Sequence, residues 1–267
     1  MKSTGNSAVF RESHRRYRAH LRAARPDPAL AALAIAAWRN PDRVVLKRVT
    51  RRAVLLVHLD GTPTILKFFK DPPWYLAWRP GWARHAWAAA RTMREMGLPM
   101  PAVHQFATCN VGGYTSVLTM EAIPHAVTLR EWIKKQAPRW DAETRVRWRM
   151  TIRAHWMNLL HNGVYHDDIK ALNVLVQLPP GAAAPTLWWI DPESAHPGHC
   201  PTRFQIIRNL VQLNGSIRKG VTDGERLQFL REMGEDFPWV LHPSIEQRLR
   251  TWTHERLLKE KRTRCGP

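Results

Sequence analysis

Apolar and polar positions change period twice along the chain. Asp27-Pro28 opens an Ala-rich run that reads as a helix ending near Trp38, with Asp27 as its N-cap and Pro28 in its first turn. From Val44 the period shortens to two. Residues 44–49, 53–59 and 64–69 predict three strands, joined through Thr50-Arg51-Arg52 and Asp60-Gly61 into an antiparallel meander. A helix is predicted over roughly 83–96, closed by Gly97 with Pro99 and Pro101 beyond it. Residues 103–106 and 115–120 predict two more strands around a turn at 110–113. The period then lengthens again. Residues 128–135 read as a short helix, with Thr128 and Glu131 in capping-box spacing. Residues 141–160 read as a long helix that places Val146, Met150, Ile152, Trp156, Leu159 and Leu160 in the core, and Gly163 ends it. Further helices are predicted over 204–213 and 226–233, and a basic one over 244–264. Residues 1–26, with Arg15, Arg16, Arg18, Arg22 and Arg25, read as a solvated or frayed extension, or as an arm touching an anionic surface.

One polar stretch interrupts this pattern with chemistry. His166-Asp167-Asp168-Ile169-Lys170-Ala171-Leu172-Asn173 spells H-x-D-x-K-x-x-N and runs into the apolar Val174-Leu175-Val176. A second apolar run, Leu187-Trp188-Trp189-Ile190, ends in Asp191. Phosphoryl transfer needs a carboxylate aimed at the acceptor hydroxyl and oxygen ligands for metal ions that bridge the phosphates. Asp168 suits the first role. Asn173 and Asp191 offer the amide and carboxylate oxygens that hard Mg2+ ions prefer. Lys170 can neutralise charge on the moving group. The plainer reading is a polar loop whose Asp and Asn cap turns, but it leaves the later strand and acid without a reason. Lys67, inside the third predicted strand, is either a snorkelling edge residue or a contact for a nucleotide's inner phosphates.

Composition sharpens the choice of partner. Lys and Arg total 41 against 22 Asp and Glu, a formal net charge of +19. Such a field attracts polyanions, whether nucleic acid, anionic lipid surfaces or phosphorylated glycans. The 13 Trp residues include Trp74, Trp78, Trp82 and Trp87, which alternate with Tyr75, Arg79, Arg84 and His85. This aromatic-basic stretch suits either core packing or contact with lipid headgroups or a sugar. Cys109, Cys200 and Cys265 are far apart and form no disulfide framework or paired zinc spacing, which fits a reducing compartment. No apolar run reaches the length of a membrane span, and the basic N-terminus has no export-signal core.

With Lys67, His166–Asn173 and Asp191 in place, the chain resembles the protein-kinase-like superfamily, and within it the bacterial lipopolysaccharide core kinases, the Kdo and heptose kinases. Thr64-Ile65-Leu66-Lys67, the Gly97-Leu98-Pro99-Met100-Pro101 stretch and Tyr165-His166-Asp167-Asp168 carry the likeness, over roughly residues 40–235. The resemblance implies an α+β, two-lobed kinase-like fold. It divides the chain into a basic extension with a helix (1–41), a small antiparallel β-sheet lobe (42–120) and a larger, mainly helical lobe (121–267). It implies ATP and Mg2+ as cofactors and an anionic glycolipid as acceptor. Asp168 would be the base, Lys170 the γ-phosphate contact, and Asn173 and Asp191 metal ligands, while His166 would support the loop. Lys67 would hold the nucleotide phosphates, and the backbone of Met120, Glu121 and Ala122 the adenine edge. The implied location is cytoplasmic, peripheral on the inner face of the inner membrane.

The chain departs from the kinase pattern in four places. No G-x-G-x-x-G lies between the first strands, where Thr50-Arg51-Arg52 stands instead. The helix after Lys67 has no Glu to pair with it, since Ala86 stands about where one would look and Glu95 comes late. Asp191-Pro192-Glu193 replaces D-F-G, making Glu193 either a second metal ligand or a surface charge. Asn209 replaces an Asp that often braces the catalytic loop. Two alternatives therefore stay open. One is a Ser/Thr protein kinase or small-molecule phosphotransferase of the same superfamily. The other is a catalytically dead scaffold for an anionic partner, although no nucleic-acid motif accompanies the charge.

Overall fold

The computed structural model describes residues 5–72, 81–179, 184–217 and 219–264. In chain order the elements are helices α1 (Gly5–Ala23) and α2 (Pro28–Arg39), strands β1 (Val44–Val49), β2 (Arg52–Leu59) and β3 (Thr62–Phe69), helix α3 (Trp82–Glu95), and strands β4 (Val103–Val111), β5 (Tyr114–Glu121) and β6 (Val127–Thr128). There follow α4 (Leu129–Gln136), α5 (Ala142–His161), β7 (Val164–His166), β8 (Val174–Gln177), β9 (Thr186–Trp189), β10 (Ala195–Pro197), α6 (Arg203–Ser216), α7 (Asp223–Asp236) and α8 (Pro243–Arg264). Among the described residues no helix is long and apolar enough to cross a membrane. The chain folds into two compact units, one of residues 10–124 with 188–198, the other of 1–9, 125–187 and 199–267.

The first unit is built on an antiparallel sheet of order β1-β2-β3-β5-β4. Its alternation sorts the side chains into two sets. Ala53, Leu55, Leu66 and Phe68 are buried in a core with Leu30 and Ala34 of α2 and with Val117. The pairs Val54↔Lys67 and Leu56↔Ile65 occupy the opposite face. Asp27 caps α2 as its sequence predicts, accepting from the Ala29 and Leu30 amides. Trp38 packs edge-on against Phe68 and Tyr114 and is flanked by the Arg43 and Arg48 guanidinium groups. The β4–β5 turn fits this ring only because Gly112 has φ +58 and no side chain; a Cβ there would lie 2.6 Å from the indole.

Helix α3 has no capping side chain on its preceding residue Gly81. The buried Asp71 substitutes, accepting from the Trp82 amide at 2.7 Å and from the Thr115 and Ser116 hydroxyls at 3.0 and 2.6 Å. A carboxylate at that end also favours the helix dipole. Trp74, Tyr75, Trp78 and Arg79 of the aromatic-basic stretch fall in residues 73–80, outside the described residues, whereas Trp82, Arg84, His85 and Trp87 are described. Within it, Trp87 packs on Phe106 and His20 and donates to the His104 carbonyl.

Of residues 1–26, expected to be a solvated or frayed extension or a surface-touching arm, Gly5–Ala23 form helix α1, which packs through part of its surface. Phe10, Ser13, Leu21 and Ala24 are buried. Glu95 at the end of α3 pairs with His20 at 2.9 Å and approaches Arg16 at 3.8 Å. The stripe was hidden because only a few buried positions separate so many arginines.

The second unit is mainly helical. Thr128, Asp141, Thr202 and Thr222 cap α4, α5, α6 and α7, the last two through complete capping boxes. Strand β6 pairs with β8 in the register Val127↔Val176. The core expected along α5 needs one correction. Trp148, Trp156, Met157, Leu159 and Leu160 are buried, but Val146 and Met150 are 48% and 42% exposed. Positions 148, 152 and 156 follow the i, i+4, i+8 stripe; 146 and 150 lie two residues off it, on the far side of the helix.

Candidate active site

The loop between β7 and β8 carries Asp168, Lys170 and Asn173, and the fold brings these three together. Lys170 Nζ is 2.8 Å from Asp168 Oδ2. Asn173 Nδ2 donates to the same oxygen at 3.0 Å and to the Asp168 carbonyl at 2.9 Å. The Asn173 amide N–H closes the turn onto the Lys170 carbonyl. His166 is buried and accepts from the Asp168 amide at 3.2 Å, so it shapes the loop rather than reaching outward. The Asp168 carboxylate is thus held by one cation and one amide, with its side chain 23% exposed.

Helix α6 fixes the loop from below with residues that the motif does not include. Gln212 accepts from the Ile169 amide at 3.0 Å and donates to the Asp167 carbonyl at 3.0 Å. Ser216 accepts from the Ala171 amide at 2.9 Å. Arg208 donates to the Asp167 carbonyl and pairs with its carboxylate. Asn209, fully buried, donates to Gln212 at 3.1 Å. The loop is thus braced by neutral side chains together with the Arg208 guanidinium, with Asn209 one step removed from it. Gln212 and Ser216, spaced i, i+4, stand among several other polar residues of the same helix, so little in the sequence singled them out.

The other predicted site residues gather on the sheet unit. Lys67, at the middle of β3, is buried. Its Nζ lies 2.5 Å from Asp191 Oδ1 and 2.8 and 2.9 Å from the two Glu193 carboxylate oxygens. Arg52, at the start of β2, pairs with Glu193 and lies 3.6 Å from Asp191 Oδ2. Burial disfavours the Lys67 charge, but Asp191 and Glu193 outweigh it and hold its pKa above the ordinary value. Burial likewise opposes the Asp191 charge, yet Lys67, with Arg52 and Lys47, keeps that carboxyl well below the usual range. Asp191 itself has φ 64, ψ 55, left-handed backbone that Asp tolerates better than most residues. It opens a short 3₁₀ turn, Pro192–Ser194, whose Pro192 and Glu193 are buried.

Met120 and Glu121 end β5. Met120 pairs with Ile65. The Glu121 amide donates to the Ala102 carbonyl at 2.8 Å, and its carboxylate accepts from the Ala102 amide at 3.0 Å. Ala122 follows, half-buried. Among the described residues no group of three or more His, Cys, Asp and Glu could hold a metal ion.

The lipopolysaccharide kinase (Kdo/WaaP) family model matches residues 43–232, from the edge of the sheet to α7. No curated protein sequence matches the chain. Among solved structures, 808 chains match, so the fold alone does not choose an acceptor. One of them, WaaP in complex with acyl carrier protein, superposes with a TM-score of 0.61 at 19% identity, covering 88% of this chain and 98% of that one. Its likeness shows the mixed helix-and-sheet kinase fold, while the family match covers well over half of the sequence. The chain belongs to the lipopolysaccharide kinase (Kdo/WaaP) family, and it is a phosphotransferase.

Proposed function

We propose that the protein transfers the γ-phosphate of ATP to a sugar hydroxyl of the lipopolysaccharide inner core, on Kdo or heptose, with Mg2+ as cofactor. The observation that carries this reading is the Asp168 carboxylate, partly exposed and steadied by Lys170 and Asn173. Asp168 takes the proton of the acceptor hydroxyl. Lys170 already touches this base, and from there its ammonium can meet charge on the transferring phosphoryl group. The residues present fit a hard cation. Both hydrogen bonds of the Asn173 amide nitrogen go to Asp168, which turns the amide oxygen away from it. Among the described residues, Asp191 Oδ2 has only the Arg52 guanidinium within salt-bridge range, at 3.6 Å. Asn173 and Asp191 are each proposed as an oxygen ligand for Mg2+, which would neutralise phosphate charge when bound. Lys67 would contact the nucleotide's inner phosphates. The Glu121 amide is committed to Ala102, so the Glu121 carbonyl and Ala122 are left to meet the adenine edge beside Met120.

The net charge of +19 supports an anionic, lipid-linked acceptor, reached by peripheral contact with the cytoplasmic face of the inner membrane. Acyl carrier protein, bound to WaaP in that solved structure, is a further partner to test by co-purification.

The deciding experiment offers labelled ATP in parallel to lipopolysaccharide with Kdo alone, lipopolysaccharide with Kdo and heptose, a generic protein and an aminoglycoside. Label is expected in one of the two glycolipids and not in the others, and Asp168→Asn should abolish it. Label confined to protein or aminoglycoside would overturn the acceptor assignment; wild-type label retained in the variant would overturn the base.

A further inference from the structure

Kinase-like sites pair the strand lysine with a glutamate from the following helix. Here that helix is α3. Ala86, the residue at about the expected place, is fully buried. The acid on α3, Glu95, is turned to His20 and Arg16 of α1. The lysine nevertheless has two carboxylates, and both come from the segment after β9. α3 packs against the Pro192–Ser194 turn that supplies the second of them.

We infer that Glu193 is the positioning residue for Lys67, the acid having moved from the helix to the turn beyond Asp191. The inference rests on the ATP-binding role of Lys67 proposed above and deepens it. The two acids are unequal. Glu193 is 3% exposed, with one oxygen shared by Lys67 and Arg52 and the other on Lys67 at 2.9 Å. Asp191 is 14% exposed, and its Oδ2 lies 3.6 Å from Arg52, beyond hydrogen-bond range. Asp191 is therefore the acid able to turn toward a ligand. When it does, Glu193 remains to keep the buried ammonium charged and in place. Pro192 restricts the backbone between them, so a side-chain rotation of Asp191 need not move Glu193. Glu193 then has no coordination left for a metal ion: its charge is matched by Lys67 and Arg52. Arg52, the first residue of β2 after the turn where a glycine-rich loop is missing, pairs with Glu193 as well.

The test is ATP affinity of the full chain, measured by calorimetry with and without Mg2+, for wild type, Glu193→Gln and Glu193→Asp. Gln keeps the shape of the side chain and removes its charge; circular dichroism and the thermal midpoint check that each variant is folded. If Glu193 positions Lys67, Glu193→Gln weakens ATP binding on the order of 10- to 100-fold, by the same factor with and without Mg2+, and Glu193→Asp regains part of it. Weakening seen only with Mg2+ would make Glu193 a metal ligand and overturn the inference; unchanged or tighter binding in both conditions would also overturn it. Wild-type ATP binding that Lys67→Met leaves unchanged would instead overturn the underlying reading of Lys67. Because the measurement involves no acceptor, its outcome is independent of the sugar assignment.

Discussion

The loop that carries Asp168 and the strand that carries Lys67 each have to fix a charged side chain, and they do it by different chemistry. Around Asp168 much of the support is neutral: Gln212 and Ser216 bond to the backbone of residues 167–171 and Asn209 holds Gln212, with the Arg208 guanidinium added at Asp167. Around Lys67 the support is ionic: two carboxylates and the Arg52 guanidinium close a buried, charge-balanced group. Neutral bracing fixes geometry and leaves Asp168 partly in water. Ionic bracing fixes a charge that has to persist under burial. The cost of losing one partner should differ accordingly, because an uncompensated buried charge is far more expensive than an unmade neutral hydrogen bond.

Four substitutions test that difference, from the largest effect to the smallest. Lys67→Met takes from two carboxylates the buried cation they share, and should destabilise the protein by roughly 3–5 kcal/mol, read from urea unfolding at pH 7. Gln212→Leu removes two hydrogen bonds to the catalytic loop. It should lower stability by about 1–3 kcal/mol and kcat by on the order of 10-fold or more through misplaced Asp168, with the KM for ATP unchanged. A loss equal to that of Lys67→Met would erase the distinction between the two regions. The pH dependence separates them further. The native pKa of Asp191 is depressed. Its contribution is therefore fully present above the unfolded value of about 4 and is lost as pH falls through the native value. Asp191→Asn should flatten the acid limb of the stability curve, whereas Gln212→Leu should lower the whole curve in parallel. Met150→Gln, on the exposed side of α5, should change stability by less than about 0.5 kcal/mol. A larger loss would restore Met150 to the core.

The two regions also differed in how far the sequence revealed them. Asp168, Lys170 and Asn173 lie within six residues of one another, so the spacing that makes the motif also makes the geometry. Lys67 and Glu193 are 126 positions apart. The sequence showed that the helix acid was absent, but not what replaced it, because pairing across such a distance is settled by how a buried turn packs. The strands of the sheet unit were legible from their period of two, and the register then put Lys67 on the face away from α2. Helix α5 was legible as a helix but not in phase: its arginines and tryptophans crowd every side, and Val146 with Met150 gave a false stripe. In α1 the few buried positions were outnumbered by charge. Asp71 gave no signal either, since a residue that caps α3 from well upstream follows no local capping pattern.

The left-handed backbone of Asp191 bears on how this position is probed. Asparagine tolerates that conformation and keeps the shape of the side chain, so it isolates the carboxylate charge. Alanine there would add a conformational penalty of roughly 1–2 kcal/mol to whatever the lost carboxylate contributes. A routine alanine scan would merge the two and overstate the importance of the acid, so the asparagine variant is the appropriate control.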